Sequence, residues 1–576
     1  MSYKDTYNNW IKDSYFDEHT RNELINIESD EKEIKERFCC NLEFGTAGLR
    51  GIIGAGTNRI NIYTVRRATQ GFANYILSKG GAKDKGIVIA YDSRHMSSEF
   101  ALETALVFNG NGIKTYIFED LRPVPMLSFA VRRLKAEGGV AITASHNPPE
   151  YNGYKVYGED GAQVAFPVDL AIISEVNGIE DFHDIKIADR TDAEEAGLFN
   201  VIGKDIDDEY IKEVVSQIVD PDTLRKTQSG LKIVYTPLHG SGNIPVRRVL
   251  EAAGFENVHI VTEQENPDPS FSTINSPNPE DPKAFELGIK LADKISADIV
   301  IGTDPDADRV GAAVKGHDGK YSFLTGNMTG LLITEYTLSN LAKHGKLNPQ
   351  STVISTVVST KLTQKIAEAY GVKYIETLTG FKYIGEKIKE FESTRSNEFI
   401  FGFEESYGCL KGTYARDKDA VAASMLLCEI AAYYKSRDMT LFDGLEEIYV
   451  KYGYAKDHVI SITLKGLDGL AKIKKIMDIL RKTEKLIIDG KETVEFRDYS
   501  SSIIKNMISG KTEKINLPVS DILYYILADS TWICVRPSGT EPKVKVYFGV
   551  SDKDAAAAEY KIKKVQAAMM KFIENI

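Results

Sequence analysis

The chain is expected to fold as an α/β protein: three similar mixed-sheet α/β units followed by one C-terminal α+β unit. Three observations predict this. A length of 576 residues is that of about four domains of ~150 residues each. Short β-branched apolar runs, Gly-rich turns and helical patterns recur through most of the chain, and continuous apolar runs of this kind suit strands covered on both faces. The last stretch alternates apolar and polar positions more regularly, as an α+β module does.

The elements follow in chain order. The first unit, 1–203, contains KGIVIAYDSR (85–94), GIKTYIFED (112–120) and GGVAITASHN (138–147). The second, 204–314, contains GLKIVYTPLHGSG (230–242), the helical IPVRRVLEAAG after it, and ADIVIGTDPDADR (297–309). The third, 315–450, contains STVISTVVST (351–360), the helical KLTQKIAEAYG, and NEFIFGFEESYG (397–408). The fourth, 451–576, contains DHVISITLKG, the helical KIKKIMDILRK, TWICVRPSGTEPKVKVYFG and a closing helix. In such sheets chemistry collects in the loops at the carboxyl ends of strands.

Composition narrows the function classes. A net charge of −12 argues against a chain built to coat nucleic acid or an anionic membrane, while leaving room for local basic sites that hold small anions. At 43% hydrophobic and 27% charged residues, the chain is an ordinary folded one. No stretch approaches the roughly 18–20 apolar residues of a membrane span. The polar, acidic start MSYKDTYNNWIKDSYFDEHT has no apolar core of a secretory signal,. Cys39, Cys40, Cys409, Cys428 and Cys534 show no zinc spacing and read as free thiols of a reducing compartment. A cytoplasmic protein is expected, with no nucleic-acid or membrane partner. Nothing in the chain specifies an oligomeric state.

Three short matches are discarded. SGKT at 509–512 lacks the earlier Gly of a phosphate-binding loop, where Lys505 stands,. GIIGAG at 51–56 lacks the dinucleotide-loop spacing,. DPDADR begins like a calcium loop but has Arg309 in place of the Gly and Lys315 in place of the closing Glu,.

Four motifs carry chemistry. Thr143-Ala144-Ser145-His146-Asn147-Pro148 ends an apolar strand. It reads either as a turn or as an exposed serine nucleophile, which needs a base or a metal to react. His146 is not assigned as that base from sequence, because adjacent side chains need not face each other. Asp304-Pro305-Asp306-Ala307-Asp308-Arg309 sets three carboxylates within five residues between two apolar flanks. Such crowding calls for a cation, and oxygen-only ligands favour a hard one, Mg²⁺ foremost. Arg536-Pro537-Ser538-Gly539-Thr540-Glu541-Pro542-Lys543 offers cationic donors, hydroxyls and an approachable Gly amide, an inventory for a phosphate dianion. Gly402-Phe403-Glu404-Glu405-Ser406-Tyr407-Gly408 pairs carboxylates with a serine; it suits vicinal sugar hydroxyls or a plain surface turn. A phosphatase needs one phosphate position. A serine carrier plus a separate clamp suits a substrate phosphorylated at both ends at some stage, which points to a mutase.

In this order and near these spacings, TASHNP, DPDADR, GFEES and RPSGTEP resemble the α-D-phosphohexomutase superfamily, specifically its phosphoglucomutase branch. The resemblance runs from EFGTAGLRG (43–51) to RPSGTEP, nearly the whole chain. It implies four domains around a central cleft. By the same resemblance, Ser145 matches the phosphoserine, and Ser145, Asp304, Asp306 and Asp308 the Mg²⁺ ligands. Lys155 matches a proton-transfer lysine, Arg50 an active-site arginine, and His146 follows the serine within the catalytic loop. Arg309, Gly380, Lys382, Glu404, Ser406 and Lys418 fall on the substrate side, and Arg536, Ser538, Gly539 and Thr540 match the distal phosphate loop.

The reaction implied is the exchange of α-D-glucose 1-phosphate and glucose 6-phosphate through a phosphoserine, with glucose 1,6-bisphosphate as intermediate and activator and Mg²⁺ as cofactor. Two departures bear on substrate. Mannose/glucose-type members follow the sugar-loop serine with Gly-His, where this chain has Tyr407-Gly408-Cys409. They also place His after the Thr-Gly of the third domain, where this chain has Phe381-Lys382. Both lean toward glucose over mannose, and glucosamine is disfavoured for similar reasons. A phosphopentomutase and a phosphomannomutase stay open, as does, from another class, a non-catalytic sugar-phosphate binder.

Overall fold

A computed structural model describes residues 2–45, 48–80, 83–464, 466–537 and 543–576. The chain divides into two compact units, residues 1–326 with 381–440, and residues 327–380 with 441–576.

The first unit holds a six-stranded mixed sheet of β1 (Leu49–Ile52), β2 (Ile87–Tyr91), β3 (Thr115–Phe118), β4 (Gly138–Ile142), β5 (Tyr151–Gly158) and β6 (Phe199–Ile202), in the order β1-β5-β4-β2-β3-β6. β4, β2, β3 and β6 are mutually parallel, and β5 and β1 add antiparallel strands at one edge. β2 and β4 are the anticipated apolar runs: Ile87–Ala90 and every residue of β4 are buried. Phe72, Phe100, Phe108, Val140 and Ile142 share one core with the covering helices. The helix Ile62–Ser78 begins at a capping box: Asn61 Oδ1 accepts from Thr64 N and Thr64 Oγ1 accepts from Asn61 N, both at 3.0 Å,.

A second sheet in the same unit contains β7 (Ile233–Thr236), β8 (Val258–Ile260), β9 (Ile299–Thr303), β10 (Val310–Lys315) and β11 (Tyr321–Leu324), in the order β11-β10-β9-β7-β8. β9 is buried throughout and delivers the chain to Asp304. The antiparallel strands Glu398–Phe403 and Cys409–Lys411 turn at Glu404–Gly408. The largely buried helix Ala420–Lys435 follows, its start capped by Asp419 Oδ1, which accepts from Ala422 N at 2.9 Å,. Ahead of all this, a stretch without motifs forms three helices, Tyr3–Lys12, Glu18–Ile25 and Glu31–Phe38. Its Trp10 and Phe16 stack 4.1 Å apart and join Phe38 and Tyr63 in a separate aromatic core.

In the second unit, strands Ser351–Thr356 and Lys373–Thr377 pair in parallel, joined through the helix Leu362–Ala369. From Tyr454 onward the chain switches to an antiparallel sheet, in the order 454–463, 543–552, 532–537, 523–527, 491–498, 503–506, 512–514. Helices Gly466–Lys482 and Ala555–Glu574 close a core containing Ile476, Leu480, Leu523, Phe548, Val565 and Met569. The C-terminal α+β architecture read from the alternating pattern is present. Among the described residues no helix is long and apolar enough to cross a membrane.

Candidate active site

Two loops of the first unit meet. The loop after β4 carries Ser145, whose φ of +53° lies in the left-handed region. Its N–H donates to Thr143 Oγ1 at 2.8 Å, and Thr143 Oγ1 in turn donates to Asp306 Oδ2 at 3.2 Å. Ser145 Oγ donates to Asp304 Oδ2 at 2.8 Å and lies 3.1 Å from His146 Nδ1. The two neighbours in sequence therefore do face each other.

The loop after β9 holds Asp304, Asp306 and Asp308 with ligand oxygens within 4.8 Å of one another, all buried. Backbone bonds from three elements pin it: Val124 N to Asp306 O at 3.0 Å, Ser241 N to Pro305 O at 2.8 Å, and Ala420 N to Ala307 O at 3.1 Å. Asp304 Oδ1 accepts from the N–H groups of Asp308 at 3.1 Å and Arg309 at 3.0 Å.

The charges nearby are arranged around these carboxylates. Lys155, from β5, lies 2.8 Å from Asp306 Oδ2 and 3.7 Å from Asp308 Oδ2; Lys418 lies 3.1 Å from Asp308 Oδ2 and 2.9 Å from Asp417 Oδ1. Burial opposes the charge of Asp308, but Lys418, Lys155 and Arg309 outweigh it and hold the carboxyl below its ordinary range,. Burial pushes Asp304 well up, helped by the repulsion of Asp306 and Asp308. Burial also disfavours the Lys155 ammonium, yet Asp306 and Asp308 raise its pKa overall, so it is protonated at neutral pH. His146 is held well below an ordinary imidazole by burial and by the charges of Arg309 and Arg50, so its ring is neutral. Asp306 Oδ1 and Asp308 Oδ1 are buried without a hydrogen-bond partner. Orphaned carboxylate oxygens amid an all-oxygen donor set fit a hard divalent cation.

The remaining expected residues divide between the units. In the first unit, Arg50 Nη1 donates to Asn147 Oδ1 at 3.1 Å on the serine loop, and Arg309 Nη1 donates to Glu280 Oε1 at 2.8 Å. Glu404 is buried, and its N–H closes the turn on Gly408 O at 2.9 Å. Ser406 is half-buried beside Tyr407, whose φ is +68° and whose carbonyl accepts from Val310 N at 3.1 Å. Lys382 lies 3.9 Å from Asp169 Oδ2. Gly380, with φ +115°, and Arg536, which donates to Thr379 Oγ1, belong to the second unit. Ser538, Gly539 and Thr540 lie outside the described residues. The motif reading passed over Arg94, Glu280 and Asp417. The signal that marks Arg94 is an Asp-x-Arg run, Asp92-Ser93-Arg94, at the carboxyl end of a buried strand.

Domain models of one family match in order. "Phosphoglucomutase/phosphomannomutase, alpha/beta/alpha domain" I matches residues 41–182, II matches 208–319, III matches 325–452, and the C-terminal domain matches 471–562. The chain belongs to the phosphoglucomutase/phosphomannomutase family and is a phosphomutase. Within that family its similarity is to proteins named phosphoglucomutase. That of Staphylococcus epidermidis is 37% identical over 544 residues, covering 94% of this chain and 96% of the relative. That of Staphylococcus haemolyticus is 38% identical over 520 residues, covering 90% and 92%. The open form of the Paramecium phosphoglucomutase parafusin shares the fold, with a TM-score of 0.66 at 17% identity over 91% of this chain and 94% of that one. So does a phosphoglucomutase/phosphomannomutase family protein from Burkholderia thailandensis, with a TM-score of 0.64 at 19% identity over 92% and 97%.

Proposed function

We propose that the enzyme interconverts α-D-glucose 1-phosphate and glucose 6-phosphate in the cytoplasm, with Ser145 as phosphoryl carrier. The observation that carries the reading is the 2.8 Å contact of Ser145 Oγ with Asp304 Oδ2, at the edge of a three-carboxylate cluster. A serine that served only a turn has no need of that company. Phosphorylated Ser145 gives its phosphoryl group to the free hydroxyl of the sugar phosphate: the P–Oγ bond breaks, a P–O bond to the sugar forms, and the hydroxyl proton ends on Oγ. The glucose 1,6-bisphosphate so formed turns round, and Ser145 takes the other phosphoryl group back, reversing the same bond changes.

Asp304, Asp306 and Asp308, with the serine oxygen, are the groups to hold Mg²⁺, which when bound offsets charge on the transferring phosphoryl group. The chain's own side chains do the rest. Neutral His146 is within hydrogen-bond reach of Oγ and is suited to pass a proton at that atom,. Lys155 and Arg50 present fixed positive charge, which is preorganised rather than recruited during transfer. To Glu404 and Ser406 we assign the grip on hydroxyls away from the reacting ends, and to Arg536, Ser538, Gly539 and Thr540 the hold on the non-reacting phosphate.

The test compares wild type with Ser145→Ala in Mg²⁺ and a trace of glucose 1,6-bisphosphate, reading glucose 6-phosphate by a coupled NADPH assay. Rapid turnover that falls by at least about 1000-fold in the alanine variant is expected. Ribose 1-phosphate or mannose 1-phosphate converted faster than glucose 1-phosphate would keep the mechanism and move the substrate. No turnover of any of the three would overturn the reading.

A further inference from the structure

We infer that Arg94 is a positioning residue for phosphoryl transfer: its buried guanidinium holds the backbone of the serine loop so that Ser145 Oγ is presented to the aspartate cluster. The inference rests on Ser145 being the carrier. Arg94 follows β2 in Asp92-Ser93-Arg94, and its side chain is 0% exposed. Nη1 donates to Pro148 O at 2.8 Å and to Tyr151 O at 3.0 Å, and Nη2 donates to the carbonyls of Ser145 and Asn147. Nε lies 3.3 Å from Asp92 Oδ2. Asp92 Oδ1 is itself fixed by Arg94 N at 3.0 Å and Ser97 Oγ at 2.8 Å. The guanidinium carbon lies 5.0 Å from the centre of the Phe271 ring, which closes it off from solvent.

One side chain thus engages four carbonyls spread over seven residues of the loop. Only a planar fork with five donors can do this, since a lysine ammonium has three donors on a single point. The first of those carbonyls is that of Ser145, whose φ of +53° lies in the left-handed region that an L-residue adopts only when it is held there. Fixing the peptide plane on the carboxyl side of Ser145 fixes the direction in which its Cα–Cβ bond leaves the backbone, and with it the position from which Oγ reaches Asp304 Oδ2. On the serine loop the guanidinium touches backbone only, so it contributes through geometry and through a fixed positive charge beneath the carrier. Displacement of a reacting atom by ~1 Å costs on the order of 100-fold in rate.

The experiment measures kcat and KM of full-length Arg94→Lys and Arg94→Ala with glucose 1-phosphate, Mg²⁺ and a trace of glucose 1,6-bisphosphate, beside wild type and Ser145→Ala. Thermal melts report folding. Wild-type turnover that is lost in Ser145→Ala first establishes the carrier, so a failure of that reading is seen separately. The expected result is then a kcat about 100-fold lower in both Arg94 variants with KM changed less than about threefold. Added methylguanidinium raises the kcat of Arg94→Ala and leaves Ser145→Ala inactive. A folded Arg94→Lys or Arg94→Ala with kcat within about threefold of wild type overturns the inference, as does a change confined to KM. Should neither variant fold, Phe271→Leu decides. Loss of the ring behind the guanidinium lowers kcat several-fold at constant KM if the inference holds, and an unchanged kcat overturns it.

Discussion

Ser145, Ala307 and Tyr407 share a property that no motif displays: each is a non-glycine residue with positive φ, at +53°, +46° and +68°. Each such turn costs about 1 kcal/mol, and each is held by bonds from other elements, so the reactive loops are clamped into shapes they would not adopt alone. The same clamping applies to charge. Lys155 and Lys418 neutralise part of the charge of the aspartate cluster. Chelation is therefore expected to lower Tm by a few degrees in wild type and by more in Lys418→Met, where the repelling carboxylates have lost one counter-charge. Melts with Mg²⁺ and with EDTA check this; equal shifts in the two proteins would contradict it. Ser145 and the aspartates were legible in the sequence because their chemistry is concentrated within single loops. The Thr143–Asp306 bond was not, because its partners stand 163 residues apart.

Among the elements, β5 does more than add an edge strand. It presents Lys155 toward the cluster and lies against the serine loop at Gly153, which pairs with β1 and whose Cα faces Thr143. A Cβ at Gly153 would stand 2.4 Å from Thr143 O and 2.9 Å from Leu49 O, both backbone atoms that cannot swing aside. Gly153→Ala is expected to destabilise by about 1–3 kcal/mol and to lower kcat, because the displaced carbonyl is two residues before Ser145. Denaturant melts and kcat together test this, and an alanine variant with wild-type kcat would refute the coupling. The parallel strands themselves were readable as apolar runs, since burial on both faces leaves nothing polar in them. The helices at Tyr3–Lys12, Glu18–Ile25 and Glu31–Phe38 were not singled out, because their aromatic core with Tyr63 is assembled from separated parts of the chain.

At the scale of the molecule, the two compact units do not follow the order of the chain: residues 381–440 return to the first unit after 327–380 have entered the second. The first unit gathers the serine, the aspartates, both lysines and the Glu404 turn, while Arg536 and Gly380 belong to the second. Stability of the second unit carries its own pH dependence. Burial pushes Asp457 up to about 7, against the opposing Thr360 hydrogen bond and Lys361 charge. Between its ordinary 3.8 and about 7 the folded protein binds more protons than the unfolded chain, so this group's contribution to stability falls as pH rises through that window,. A tenfold change in proton affinity is worth about 1.4 kcal/mol, and partial exposure of Asp457 reduces the whole effect to about 1–2 kcal/mol. Asp457→Asn should lose less stability than wild type between pH 4.5 and pH 8, read as the difference in Tm. Parallel Tm curves for the two proteins would rule this out.

The amino-acid sequence by itself determined the α/β class, the change to an α+β module near the C-terminus, and the phosphomutase class. Those features are local: apolar runs encode buried strands, and reactive groups sit at fixed short spacings in strand-end loops. Only the tertiary structure decided how the groups meet. That His146 Nδ1 lies 3.1 Å from Ser145 Oγ is settled by the folded loop and by no spacing. That Lys418 partners Asp308, and that Arg94 reaches four carbonyls of the serine loop, depends on separate strands and helices closing over a shared core. Such contacts are set by packing between distant segments, and packing leaves no period or spacing in the chain from which they could be read.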